Sequence, residues 1–207
     1  HDQFRAEPQP GDEEIRQSYG LPHRYVLYLA GHDERKNVQT LIEAFATVAE
    51  ADDDVTLVVG GRLPERDEPP FFDPRPLVTA LGLEEDVRFA GWVDEAHKPA
   101  LYRGAACAVF ASRYEGFGLP VLEALACGTP LVSSNTSSLP ELVGDAGFAL
   151  DPDDVQGLAG AMLACLVVEA VAEELRKRGP ALDARFCWER TALETLEVYR
   201  EVAACVS

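Results

Sequence analysis

The sequence predicts an α/β domain with a doubly wound, mostly parallel sheet and a C-terminal helical tail. Three observations support this fold class. Six short runs of strand-forming residues recur along the chain, with helical windows between most of them. These runs lack the alternation of apolar and polar residues, which is typical of strands covered by helices on both faces. After Pro152 the chain contains helix-like segments and only polar or irregular connections between them.

The first strand is predicted for residues 25–30 (YVLYLA), which end at Gly31 and lead through a loop into a helix over residues 38–50. This helix is indicated by apolar residues spaced three or four positions apart. The remaining predicted strands are residues 56–60 (TLVVG), 87–91 (VRFAG), 106–112 (ACAVFAS), 129–134 (TPLVSS) and 147–150 (GFAL). In a sheet of this kind the ligand crevice is expected outside the carboxyl ends of the strands.

The segments between and beyond these strands complete the predicted organisation. Residues 60–75 are rich in proline and charge, so we expect a surface loop. Residues 154–178 and 187–204 are helix-like. The chain therefore divides into an N-terminal segment or linker (1–24), an α/β domain (25–180) and a C-terminal helix (181–207) that packs back on the sheet or reaches toward a neighbour absent from this chain.

The charge of the chain restricts its partners. Its 36 acidic and 18 basic residues give a formal net charge of -18. A surface of this kind repels polyanions, so we do not expect a nucleic acid partner. A small anionic ligand is still compatible with this charge, because a pocket needs only a few basic side chains and helix N-termini to attract it.

The termini and cysteines predict the cellular context. No apolar run approaches the ~20 residues needed to cross a bilayer, and the N-terminus (HDQFRAEPQPGDEE) is polar and acidic. We therefore expect a soluble, cytoplasmic protein without a signal peptide or membrane contact in this half. The chain begins with His1 rather than Met, which indicates a piece of a longer protein. The five cysteines are scattered without a CxxC pair, and we expect buried free thiols.

A candidate anion site follows the first predicted strand. The loop GHDERKN (31–37) begins at Gly31 and places Arg35 and Lys36 at the start of the next helix. Backbone N–H groups and the helix dipole already favour an anion at such a position, so a phosphate group would fit there. The alternative is that Arg35 and Lys36 are solvated surface charges.

A second candidate loop, SRYEGFG, follows the strand that ends near Ala111. Gly116 and Gly118 are expected to permit positive φ, which lets a ligand approach the backbone. The amides of Phe117, Gly118 and Leu119 can then point at ligand oxygens.

Two glutamates flank this loop. Glu115 is predicted to lie in the loop, and Glu123 in the first turn of the next helix, so both can face one crevice. Carboxylates accept hydrogen bonds from vicinal hydroxyls, which suits a sugar or a ribose. The alternative is that Glu123 complements the helix dipole and Glu115 is an ordinary loop charge.

The stretch EGFGLPVLEALACGTPLVSS resembles the E-x7-E region of family 4 retaining glycosyltransferases. Four further segments resemble successive parts of the C-terminal half of that family: YVLYLAGHDERKNVQTLIEAF, VRFAGWVDEAHKPALYRGA, SSLPELVGDAGFALDP and FCWERTALETLEVYREV. The resemblance implies a GT-B architecture, in which a nucleotide-sugar-binding domain faces an N-terminal acceptor-binding domain across a cleft. This chain resembles the donor-binding half alone.

The resemblance also implies roles for the candidate residues. Glu115 would meet the hydroxyls of the donor sugar, and Glu123 would hold the ribose. Arg35 and Lys36, in the loop that begins at Gly31, would neutralise the diphosphate, as would the helix N-terminus at Leu119. The backbone of Gly116, Phe117, Gly118 and Leu119 would meet sugar and phosphate oxygens, and the segment around Arg88 would lie by the base. Many family members carry arginine where this chain has His32.

The predicted function is that of the donor-binding domain of a retaining glycosyltransferase, which transfers a sugar from a nucleotide diphosphate-sugar to an unknown acceptor. Neither a cofactor nor a metal is expected, and this chain alone is expected to be inactive. The absent domain could bring the enzyme to the inner face of the membrane. The alternatives are a nucleotide-sugar epimerase or sugar phosphorylase of the same architecture, and a non-catalytic nucleotide-sugar-binding module.

Overall fold

The computed structural model describes residues 3–65 and 68–205. The strands are β1 (Tyr25–Leu29), β2 (Thr56–Gly60), β3 (Val87–Gly91), β4 (Cys107–Phe110), β5 (Leu131–Ser134) and β6 (Gly147–Leu150). The α-helices are α1 (Asp12–Ser18), α2 (Val38–Ala51), α3 (Arg75–Ala80), α4 (Lys98–Gly104), α5 (Leu119–Ala126), α6 (Leu139–Val143), α7 (Val155–Val167), α8 (Glu169–Asp183) and α9 (Trp188–Cys205). A short 3-10 helix, Glu34–Lys36, precedes α2.

The six strands form one parallel sheet in the order β3-β2-β1-β4-β5-β6. The chain runs outward from β1 to β3, then returns to pair β4 with the other edge of β1 and continues outward to β6. The order reverses between β1 and β4, so the loops that follow these two strands meet at the carboxyl edge of the sheet. The predicted doubly wound α/β fold is confirmed.

The sheet is buried on both faces, as its uninterrupted apolar strands predict. All five residues of β1 are buried, and they alternate between two apolar clusters: Val26 and Tyr28 belong to the first, and Tyr25 and Leu27 to the second. Side chains in a strand point to opposite faces in turn, so the two clusters lie on opposite sides of the sheet. The first cluster contains α2, α3 and α7, and the second contains α4, α5 and α6.

The elements outside the sheet refine the predicted organisation. The segment that precedes β1 contains α1, which packs on α4 and is held there by a partly buried ion pair between Arg103 and Asp12. The stretch predicted as helical from residue 154 forms two helices, α7 and α8, which meet at 95°. Within the part of the chain that the structure describes, no single helix has the length and apolar character needed to cross a membrane.

The C-terminal helix α9 does not pack back on the sheet. Every described residue of α9 is exposed, including Leu193, Tyr199 and Val202. The alternative that α9 packs on the sheet is therefore wrong for the residues described. The cysteine prediction needs the same correction, because Cys107, Cys127 and Cys165 are buried free thiols whereas Cys187 and Cys205 are exposed.

Candidate functional site

The loops after β1 and β4 are joined directly at the point where the strand order reverses. The backbone N–H of Arg113 donates to the carbonyl of Arg35 at 2.8 Å. On the same loops, Lys36 Nζ donates to Glu115 Oε1 at 2.7 Å. The fold thus brings together three of the predicted site residues, Arg35, Lys36 and Glu115, from positions about 80 residues apart in the sequence.

Glu115 is the centre of this cluster. Its carboxylate accepts from Lys36 and, at 2.8 Å, from Ser112 Oγ, and Arg35 Nη1 lies 3.5 Å from its other oxygen. The side chains of Lys36 and Glu115 are only 12% and 11% exposed, so this ion pair is screened less than a surface pair. Arg35 Nε also lies 2.7 Å from Asp33 Oδ1. The two cations are therefore matched by two carboxylates, of which sequence analysis identified only Glu115.

Lys36 keeps hydrogen-bonding capacity despite this pairing. An ammonium group has three N–H donors, and Glu115 takes one of them. Lys36 also lines the cavity described below. An anion can therefore bind Lys36 without displacing Glu115.

The N-terminus of α5 lacks a protein acceptor. Gly118 precedes α5 with φ 106° and offers no side-chain cap. Among the residues that the structure describes, the backbone N–H groups of Phe117, Gly118 and Leu119 donate to no other group. Unpaired N–H groups at a helix start, together with the positive end of the helix dipole, attract an anion.

The two glycines of this loop are not equivalent. A Cβ on Gly118 would lie 2.8 Å from Leu139 Cδ2 and 2.9 Å from Leu142 Cδ1, so both the close approach of α6 and the positive φ require glycine there. Gly116 has no positive φ, and a Cβ there would meet nothing within 4 Å. Gly118 therefore uses the positive φ that glycine permits, whereas at Gly116 neither the backbone conformation nor the packing requires glycine.

Glu123 lies in a different environment from Glu115. It is the fifth residue of α5 and belongs to the second turn rather than the predicted first turn. The fully buried Tyr102 donates its O–H to Glu123 Oε2 at 3.3 Å. Burial raises the pKa of Glu123, the nearby Lys98 opposes this rise, and Glu95 adds to it. Burial thus favours the protonated form of Glu123 more than it would for a solvated glutamate.

A cavity of about 750 Å³ opens at the carboxyl ends of β1, β2 and β3, within the size range of ligand pockets. Gly31 and Lys36 line it, and Pro120 extends it to the start of α5. Its rim carries two exposed aromatic side chains, Trp92 (57%) and Phe71 (51%). The Arg62 guanidinium lies 4.9 Å above the ring of Trp92.

Sequence analysis missed these aromatic residues. Trp92 directly follows the last residue of β3, and the rule that ligands bind beyond the carboxyl ends of strands could have found it. Phe71 lies in the proline-rich loop after β2, where it forms a β-bridge with Asp33. Nothing in the sequence indicates that contact.

His32 lies in the cavity wall and is only 3% exposed. Neither of its ring nitrogens has a hydrogen-bond partner among the described residues. Burial lowers the pKa of His32, although Asp73 and Asp33 oppose this effect. Burial therefore favours the neutral imidazole of His32, which lacks the fixed charge that an arginine would place at this position.

Arg88 lies apart from the other predicted residues. It is the second residue of β3, at the amino end of the strand, and its guanidinium lies against Gly20 instead of lining the cavity. The cavity lies at the carboxyl end of β3, where Trp92 and Val93 line it and Arg88 does not.

Among the described residues no group of three His, Cys, Asp or Glu side chains is arranged to hold a metal ion.

A doubly wound parallel sheet defines a Rossmann-like domain, and the basic side chains and unpaired helix N–H groups at its reversal point are features that favour an anion. Comparison with known proteins makes this class specific. The chain belongs to the glycosyl transferases group 1 family, whose sequence profile matches residues 11–181. Its structural neighbours are GT-B glycosyltransferases.

Three relatives illustrate the match. O-antigen chain mannosyltransferase B of Escherichia coli is 36% identical over 188 residues, which are 90% of this chain and 48% of that protein. Sucrose-phosphate synthase from Thermosynechococcus elongatus is 29% identical with a TM-score of 0.82, covering 99% of this chain and 51% of the other. The C-terminal domain of a glycosyl transferase group 1 family protein from Francisella tularensis is 26% identical with a TM-score of 0.75, covering 89% and 95%. The chain thus spans about half the length of the curated mannosyltransferase.

Proposed function

We propose that this chain is the donor-binding domain of a retaining glycosyltransferase, which transfers a sugar from a nucleotide diphosphate-sugar to an acceptor. The observation that carries the proposal is the meeting of Lys36 and Glu115 beside the unpaired N–H groups of α5. This arrangement supplies donors for a diphosphate next to an acceptor for sugar hydroxyls. The relationship to an O-antigen mannosyltransferase makes a nucleotide-mannose the first donor to test.

The order of groups along the sheet edge suits such a donor. Trp92 follows β3, Lys36 follows β1 and Glu115 follows β4. With neighbouring strands about 4.8 Å apart, these positions cover about 14 Å in the strand order β3-β2-β1-β4. A nucleotide-sugar is elongated, and its base, diphosphate and sugar follow one another in the same order. We place the base by Trp92, the diphosphate by Lys36 and the sugar by Glu115.

The chemical task of this half is electrostatic. As the bond between sugar and phosphate breaks, negative charge grows on the diphosphate leaving group. Lys36, Arg35 and the N-terminus of α5 are positioned beforehand to stabilise that charge, and they need not reorganise during the reaction. We expect this stabilisation to need no metal ion.

A second domain would complete the enzyme. The chain spans about half of the mannosyltransferase that it resembles, and the apolar side chains of α9 remain exposed. We propose that an N-terminal acceptor-binding domain faces the donor site and that α9 contacts it. Without that domain the two substrates are not held together, so the chain alone should bind donor without transferring sugar.

Titration calorimetry with nucleoside diphosphates, with and without a chelator, tests the proposal. Lys36→Met should weaken binding by about 10- to 150-fold, the effect of losing a charged hydrogen bond. Lys177→Met on the exposed face of α8 is the matched control and should bind as the parent chain does. Equal affinity in Lys36→Met and the parent would refute the site, and binding abolished by the chelator would refute its independence of metal.

A further inference from the structure

The loop that carries Glu115 is held in place by a separate segment of the chain. Four hydroxyl side chains in residues 134–138, here called the hydroxyl segment, contact backbone groups of the loop after β4. The segment begins at the last residue of β5 and ends immediately before α6. It therefore connects the Glu115 loop to two elements of the rigid scaffold.

Ser137 and Ser138 contact both sides of Glu115. The backbone N–H of Glu115 donates to Ser137 Oγ at 3.0 Å. The single O–H of Ser138 is shared between two carbonyl oxygens, with Ser138 Oγ 2.8 Å from that of Phe117 and 3.2 Å from that of Glu115. The peptide groups on either side of the Glu115 side chain are thus fixed by side-chain hydroxyls rather than by regular secondary structure.

The start of the loop is held in the same way. Ser134 Oγ and Thr136 Oγ1 both donate to the carbonyl of Ser112, at 2.5 Å and 3.0 Å. Ser112 in turn donates its hydroxyl to the Glu115 carboxylate at 2.8 Å. Ser112 therefore links the hydroxyl segment, which its carbonyl contacts, to Glu115 Oε1, which its hydroxyl contacts.

The backbone of Ser137 indicates that this geometry serves more than stability. Ser137 has φ 52°, in the left-handed region that glycine adopts with less strain. Its side chain is well placed to contact the amide of Glu115 from this conformation. Strain of this kind persists where the surrounding structure enforces it, and it is frequent at ligand sites.

We propose that Ser137 and Ser138 are positioning residues that fix the Glu115 carboxylate at the orientation needed for the donor sugar. This inference rests on the proposed function. A displacement of the order of 1 Å at a binding group is enough to reduce its contribution strongly. Ser138 holds the peptide that joins Phe117 to Gly118, so its loss should also disturb the Gly118 N–H, whereas Ser137 contacts the amide of Glu115. Loss of the Ser137 contact should therefore affect the sugar more than the diphosphate.

The test uses Ser137→Gly and Ser138→Ala in the full chain, titrated with a nucleoside diphosphate and with the corresponding nucleotide-sugar. For Ser137→Gly we expect the dissociation constant of the nucleotide-sugar to rise about fivefold to tenfold, the effect of one lost hydrogen bond, and that of the nucleoside diphosphate to change less than about twofold. Ser138→Ala should weaken the nucleotide-sugar by a similar factor and should also weaken the nucleoside diphosphate, because Ser138 holds the peptide that carries the Gly118 N–H. Ser138→Thr keeps the hydroxyl and should restore affinity. Ser18→Ala, which removes a hydroxyl that donates to the carbonyl of Ile15 in α1, is the matched control.

Thermal melting separates positioning from simple structural support. Ser137→Gly relieves the left-handed strain while losing one hydrogen bond, so its melting temperature should stay close to that of the parent or rise. Equal weakening of both ligands by Ser137→Gly, or affinity losses that follow the melting temperature, would overturn the inference. If the parent binds both ligands and the serine variants bind the nucleotide-sugar equally well, this inference alone fails. If the parent binds neither ligand, the proposed function fails with it.

Discussion

Neutralising Glu115 should change the affinities for nucleoside diphosphate and nucleotide-sugar in opposite directions. In the structure Glu115 accepts from Lys36 and lies near Arg35, so its charge reduces the attraction of both cations for a phosphate. Glu115→Gln removes that charge and keeps the shape of the side chain. The nucleoside diphosphate should therefore bind more tightly, whereas the nucleotide-sugar loses the carboxylate that we assign to its hydroxyls.

The expected size follows from the geometry of the pair. Lys36 Nζ lies 2.7 Å from Glu115, and a phosphate oxygen on the other side of the ammonium adds about 2.8 Å. At the resulting separation of about 5.5 Å, one unit charge changes the energy by about 0.8 kcal/mol in water and about 3 kcal/mol at an effective dielectric constant of 20. Because the site opens to solvent, we expect the lower part of this range, or about fourfold to tenfold tighter binding.

The ratio of the two dissociation constants isolates the contact with the sugar. The gain from removing the charge is common to both ligands and cancels in the ratio. Loss of one charged hydrogen bond to a hydroxyl, worth about 1.5 to 3 kcal/mol, should shift the ratio by about 10- to 150-fold against the nucleotide-sugar. The tighter binding of the nucleoside diphosphate should diminish at high salt, since it is electrostatic.

Parallel titrations of Glu115→Gln and the parent with both ligands measure these quantities. Glu173→Gln, an exposed glutamate on α8, provides the control and should change neither affinity. An unchanged ratio would show that Glu115 does not contact the sugar. Weaker binding of the nucleoside diphosphate would show that Lys36 is not the phosphate ligand.

Two further predictions concern stability. Burial raises the folded-state pKa of Glu123 above its ordinary value of 4.5, so the folded state favours the protonated carboxyl. The stability that this group contributes is therefore lost as the pH rises through the folded-state pKa. Glu123→Gln should raise the melting temperature at neutral pH, show a smaller gain toward pH 4.5, and weaken the binding of both ligands. The increase in melting temperature would be absent if Glu123 were solvated in the folded chain without ligand. Gly118→Ala should destabilise the fold by about 1 to 3 kcal/mol, because of the clash with Leu139 and the positive φ. Gly116→Ala should change the free energy of unfolding by less than about 0.5 kcal/mol. Denaturant unfolding compares the two variants, and equal losses of stability would contradict the different backbone conformations of Gly116 and Gly118.

The strands were predictable because burial on both faces leaves an unbroken apolar pattern. The predicted bounds of β2, β3 and β6 agree with the structure, and those of β1 extend one residue too far. The bounds of β4 were too wide, because Ala111 and Ser112 are buried without pairing in the sheet. Burial and strand pairing are separate properties, and an apolar run reports only the first.

The candidate site was predictable where it depends on the order of elements. Loops after parallel strands meet at one edge, so Lys36 and Glu115 could be expected close together. The pairing of Arg35 with Asp33 and the contact of the hydroxyl segment with the Glu115 loop could not be predicted, since they depend on side-chain directions in irregular backbone. The position of Arg88 away from the cavity could not be predicted for a related reason. The sequence identified the segment that forms β3, but not that the cavity lies at its carboxyl end, beyond Arg88.

Because α9 is exposed, it should unfold locally far more often than the buried sheet does. An isolated helix of 18 residues is only marginally stable in water, because most helical stability comes from tertiary packing. The buried strands and α5, in contrast, belong to the core, where opening is expected to cost up to the full free energy of unfolding. Amide hydrogens of α9 should therefore exchange with deuterium in the earliest time points, while those of β1 and β4 persist. Docking of a second domain on α9 would then be visible as slowed exchange confined to the last 18 helical residues.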